Sequence, residues 1–185
     1  MPDIFSRYLR VTTLAALAVL AACATEAGDG GEGGEGAASA DEAPIPAGYD
    51  RLPESARIAV APNAQGQCNA PSTRSVFRKQ MEWNAFWSSV EGCPVPPLPG
   101  DVDFAKEMVV LAAMGKRTSS EEKISIIGSG QRGDTLVVLV RRSILPPQCP
   151  DQGEKNYPVS AARFPTSEGR VRFLEERTIL PCGNF

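Results

Sequence analysis

Two kinds of apolar pattern organise the chain. Glu107–Met114 (EMVVLAAM) and Leu136–Val140 (LVVLV) are continuous apolar runs of strand length, the pattern of strands covered on both faces. Ala56–Ala61 (ARIAVA) alternates with a period of two and predicts a short strand, and Arg74–Lys79 (RSVFRK) predicts a second. The other pattern is helical. Trp83, Phe86, Trp87 and Val90 recur at i, i+3, i+4 and i+7, which places them on one face with Asn84, Ser88 and Ser89 away from it. A tryptophan platform for carbohydrate or peptide is one use of such a face, but a single apolar face is also what a sheet-covering helix requires. The prolines of CPVPPLPGD (Cys93–Asp101) end this helix.

Further on, Glu122–Gly128 (EKISIIG) predicts a strand that joins Leu136–Val140 across a glycine-rich hairpin turn, SGQRGD. After a proline-rich loop, VSAARF and RVRFLEERTIL predict two more strands joined at PTSEG, the last carrying Glu175, Glu176 and Arg177 as a solvated edge strand would. The sum is an α+β fold. It is a mainly antiparallel sheet of about six strands, sandwich- or barrel-like, with one amphipathic helix packed on it.

The front of the chain fits neither pattern. Arg7 and Arg10 precede a 12-residue apolar run, Val11–Ala22, too short for the roughly 20 residues of a spanning helix and typical of a signal peptide. Leu20, Ala21, Ala22 and Cys23 resemble the bacterial lipobox, which implies cleavage before Cys23 and acylation of its thiol. Two or three acyl chains hold a protein on a bilayer where one holds it only marginally. Ala24, not Asp, follows the cysteine, which by the sorting pattern of such signals favours the outer membrane; the cell membrane is the alternative. Residues 1–22 thus read as a lipoprotein signal peptide, 23–55 as a lipidated cysteine with a glycine- and acid-rich spacer, and 56–185 as the folded domain. Residues 24–55 hold eight acids against one base, whereas 56–185 hold 16 bases and 13 acids, so the net charge of −3 comes from the spacer. The domain lacks the basic stripe of a nucleic-acid binder.

Composition then narrows the chemistry. The chain has no histidine, which excludes a Ser-His-Asp triad, a Cys-His pair and His-ligated zinc. Ser120-Glu121-Glu122-Lys123 fits an S-x-x-K string, but its partner strings are missing and the serine stands at a strand entry. Asp101/Asp103 and Glu175/Glu176 are possible acid–base pairs; the latter, as strand neighbours, face opposite ways. Arg132-Gly133-Asp134 needs only a tight hairpin to explain it. No catalytic residue, metal site or cofactor is assigned. In an exported protein Cys68, Cys93, Cys149 and Cys182 are expected in disulfides, with three connectivities open. An up-running strand 74–79 followed by a descending helix brings Cys68 to Cys93. A meander of strands 134–144, 158–164 and 170–180 brings Cys149 to Cys182.

Several blocks together resemble the C-terminal domain of the PrcB family, named for an accessory lipoprotein of a surface protease complex. They are Trp83 and Trp87, VDFAKEMVVLAAMGKR (Val102–Arg117), YPVSAARFP (Tyr157–Pro165) and VRFLEERT (Val171–Thr178). Gly115 and Arg117 match the family's G-x-R, but Ser119-Ser120-Glu121-Glu122 replaces its Thr-Gly-Gly-Tyr, so a partner contact of that loop in relatives is not carried over. The resemblance implies a secreted binding or accessory module, and with no catalytic constellation in the sequence the expectation is a non-catalytic one. The expected contact surface is the loops Gly115–Glu122 and Leu145–Tyr157, with Gly115, Lys116, Arg117, Glu121, Glu122, Gln148, Lys155 and Tyr157 as candidates. The expected partners are the bilayer through Cys23 and an envelope protein, a protease among the options. A loop-inserting protease inhibitor and a Ser120/Lys123 hydrolase are the alternatives.

Overall fold

The computed structural model describes residues 44–60, 68–93 and 101–182. Among these residues, eight strands form two four-stranded sheets. In chain order they are β1 (Asp50–Arg51), β2 (Arg57–Ile58), β3 (Thr73–Phe77), β4 (Glu107–Ala113), β5 (Lys123–Arg132), β6 (Thr135–Ile144), β7 (Val159–Pro165) and β8 (Val171–Ile179). The helix α1 spans Gln80–Ser88, and a single 3-10 turn spans Glu54–Ala56. The first sheet has the order β1-β5-β6-β8 and the second β2-β7-β4-β3. Six strands are long and two have only two residues, in line with the expected mainly β fold.

Alternation along the strands builds the core between the sheets. Met108, Val110 and Ala112 of β4, Ala162 and Phe164 of β7, Ile124 and Ile126 of β5, and Val138 and Val140 of β6 form one buried cluster. The intervening residues of β4, Val109, Leu111 and Ala113, point the other way into a second cluster with Trp83, Trp87 and Phe77. β4 is therefore covered on both faces, which is why it is apolar from Met108 to Ala113.

Glu82 reaches back to the Arg78 amide at 2.8 Å to start α1, and the Ser89 hydroxyl donates to the Phe86 carbonyl at its end. Trp83 and Trp87 are fully buried, and Trp83 meets Phe77 edge-on at 5.3 Å. Each large aromatic taken from water in this way stabilises the fold by about 2–3 kcal/mol.

Two expectations about connectivity are corrected. The last three strands are not a meander: β7 lies in the second sheet, and β6 pairs with β8 in parallel, Leu136 opposite Val171 and Ile144 opposite Ile179. Crossing to the other sheet and back reverses the chain twice, so β8 returns in the direction of β6. That still leaves the ends of β6 and β8 together, and Cys149 bonds Cys182 with a Cα separation of 5.4 Å. Cys68 bonds Cys93 at the base of β3 and α1, with a Cα separation of 4.4 Å. Loops of 25 and 33 residues are closed by these bonds; by chain entropy each contributes about 3–4 kcal/mol.

The second correction concerns the turn. β5 runs on to Arg132, so only Gly133 and Asp134 separate it from β6. Gly128 and Gly130 lie within the strand, and their bareness serves a different purpose. A strap of residues 44–49 crosses this outer face of the first sheet, turns at Ala47–Gly48, and returns as β1 beside β5. A Cβ on Gly130 would lie 2.8 Å from the Tyr49 ring, and one on Gly128 would strike the Asp50 carbonyl and come 3.0 Å from Ile45 Cδ1. The Arg141 guanidinium donates to the Pro44 carbonyl at 3.0 Å, and Leu52 is buried in the core. The folded domain therefore begins by Pro44 rather than at residue 56. Up to Ala43, the segments expected as signal peptide and spacer, with Cys23, lie outside the described residues.

Candidate functional site

The two loops singled out from sequence lie at one end of the sandwich and are joined there. β4 runs into Gly115, whose φ of +74° favours glycine and where an added Cβ would lie only 3.0 Å from the Ser72 amide nitrogen. Arg117 and Asn156 then exchange backbone hydrogen bonds at 2.7 and 3.0 Å, an isolated antiparallel bridge between the loops. The Asn156 side-chain amide donates to the carbonyls of Ser119 at 2.9 Å and Glu122 at 3.0 Å. The Glu154 carboxylate accepts from the Ser120 amide, and the Ser119 hydroxyl accepts from the Glu121 amide at 3.1 Å. The disulfide Cys149–Cys182 pins the second loop to the end of β8. The result is one continuous rim.

The candidate residues divide by exposure. Lys116, Glu121, Gln148 and Lys155 are exposed on this rim. Arg117 and Tyr157 are half-buried, Gly115 and Glu122 are buried, and these four shape the rim more than they present it. Of Lys116 and Arg117, both expected to be exposed, Arg117 is drawn partly inward by the bridge to Asn156, and Glu122 is buried at the entry to β5. Asn156 and Glu154 escaped the sequence reading. An asparagine in a Gly/Pro/Asp loop carries no periodic signal, and its three roles here depend on a loop 34–39 residues away in sequence.

Chemistry at the rim is limited. No hydrogen bond joins Ser120 to Lys123 among the described residues, and both are solvent-facing. Glu175 and Glu176 do face opposite ways. Glu175 lies between Arg74 at 2.7 Å and Arg142 at 2.9 Å, while Glu176 pairs with Arg141 at 2.8 Å on the outer face. Asp103 organises the turn before β4. Its carboxylate accepts from the Ala105 amide at 3.0 Å and pairs with Lys106 at 3.2 Å, and Glu107 bonds back to the Asp103 amide at 3.2 Å. The Ala105 amide first, then Lys106, holds the Asp103 carboxyl below the ordinary aspartate range, so it stands ionised in this turn. Among the described residues no group of three His, Cys, Asp or Glu could hold a metal ion. The end of the sandwich is a shaped, cross-linked surface with mixed charges. Comparison with family models, curated proteins and solved structures returned no match.

Proposed function

We propose that the chain is an exported lipoprotein, anchored through acylated Cys23, whose domain serves as a non-catalytic docking module for another protein of the cell envelope. The resemblance of several blocks to the PrcB family makes a protease the first partner to examine. The observation that carries the docking reading is the joining of Gly115–Glu122 to Leu145–Tyr157 by Asn156. Two loops far apart in sequence are thereby held as one rigid surface, with Lys116, Glu121, Gln148 and Lys155 presented from it. Preorganised loops lose little entropy on binding, so such a surface favours recognition.

The anchor and the docking role are tested separately. Cys23→Ser should abolish incorporation of a labelled acyl chain and release the protein from membranes; retained label and retained membrane association would sink the anchor. For docking, a photocrosslinking residue is placed at Lys155 or Gln148 in intact cells, with Met81 on α1 as the control position, 73% exposed and away from the rim. One protein attached from both rim positions and not from Met81 is expected. Indiscriminate labelling, equal from Met81, would overturn the docking role.

A further inference from the structure

The opposite end of the first sheet carries a second feature that owes nothing to the rim. An open groove of about 660 Å³ lies on the outer face, lined by Tyr49, Arg132, Val137, Arg170, Arg172 and Leu174 among others, with no acidic residue in its lining. The Arg132 guanidinium stacks 5.3 Å over the Tyr49 ring, which orients it without neutralising it. Among the described residues, Arg132, Arg170 and Arg172 take part in no ion pair. Arg57, Arg74, Arg141 and Arg142, by contrast, each hold a carboxylate. Asp50, Asp134, Glu168 and Glu175, acids near these residues in sequence, do not line the groove; Asp134 instead accepts from its neighbour Thr135 at 3.3 Å, and Glu175 is held by Arg74 and Arg142.

The groove borders an open strand. β8 pairs with β6 and with no other described strand, so one edge of its nine residues presents free backbone groups. On the outer face of β8, Arg172 and Leu174 stand two residues apart, and Leu174 is 39% exposed. Farther along the same face, Glu176 is held by Arg141. Positive charge, apolar side chain and neutralised acid thus follow one another at the period of an extended strand, roughly 6.6–6.8 Å per same-face step.

We propose that this edge and groove bind an extended acidic segment of a partner protein. The segment adds as a strand along β8. Its carboxylates, at alternate positions, meet Arg170 and Arg172 at the start of β8, an apolar side chain rests on Leu174, and Arg132 across the groove on β5 adds positive charge without contact. Backbone pairing supplies affinity, and the side-chain alternation supplies register and sign. This contact lies at the end away from the rim, so its failure would leave the docking role of the rim standing.

The test uses the full-length protein in detergent and a fluorescein-labelled peptide of alternating glutamate and valine, read by anisotropy. Exposed ion pairs each contribute up to about fivefold in affinity. Arg170→Glu with Arg172→Glu replaces each attraction by a repulsion of similar size and should weaken binding about tenfold or more, with an unchanged melting temperature showing that the variant is folded. The same peptide N-methylated at alternate residues keeps its charge but cannot pair as a strand, and should also bind at least about tenfold more weakly; this arm does not depend on any protein variant. Equal binding of the two peptides, or full binding by the charge-reversed variant, would overturn the proposal. So would anionic phospholipid vesicles or dextran sulfate binding at the groove while the peptide fails to compete.

Discussion

Gly128 has a role that belongs to a single missing atom. The Asp50 carbonyl and Ile45 occupy the space where any other residue would carry its Cβ. Gly128→Ala should therefore lift the strap and cost about 1–3 kcal/mol, read as a lower urea midpoint. Protease cleavage within 44–52 should quicken at the same time; an unchanged midpoint with unchanged cleavage would refute the role. Asp103 offers a test of sign. Its folded pKa is depressed, so its ionisation favours the native state above the unfolded value, and that contribution fades as pH falls through the folded one. Asp103→Asn keeps the acceptor and removes the charge. The variant should be less stable than the parent at neutral pH, and the gap should narrow below about pH 4. A gap that persisted unchanged into acid would show that the charge is immaterial.

Elements differ in how far the sequence announces them. The helix was legible because Trp83, Phe86, Trp87 and Val90 at helical spacing leave no other face to bury, and β4 because the six residues Met108–Ala113, without a polar gap, require cover on both sides. The parallel neighbourhood of β6 and β8 was not legible. Alternation says which face of a strand is buried and nothing about which strand lies beside it. The rim loops were recognisable as loops, yet their union rests on Asn156, whose bonds reach residues 34 and 37 positions away and leave no local pattern. The facing edges of the two sheets, β3 and β8, are tied by Arg74, which pairs with Glu175 and also donates to the Thr73 and Ala113 carbonyls. Arg74→Ala should thus cost about 2 kcal/mol and Glu175→Ala about 1. A double-mutant cycle by chemical denaturation should return a coupling of about 0.5–1 kcal/mol. Strict additivity would mean that the pair only decorates the edge.

At the scale of the whole molecule, the start of the domain is the point where composition misleads. Residues 44–55 are rich in proline, glycine and acids, which is the signature of a spacer. Two features alone betray them: Leu52, which enters the core, and Tyr49, which meets Arg132. A chain cut back to Ala56 should lose about 3 kcal/mol or more, since the deletion removes a buried leucine together with the β1 pairing. A chain beginning at Pro44 should keep the stability of the parent. Equal melting temperatures for the two would return the strap to the spacer.

The strap also decides how the domain meets mechanical load. Tension applied through residues before Pro44 reaches first the hydrogen bond from Arg141 and the seat of Ile45, then two residues of β1, and only afterwards the ten-residue strands. Force delivered in that order works one bond at a time, as in opening a zip fastener. The outer face beside Leu139 and Ile127 would be uncovered while the sandwich itself stayed shut.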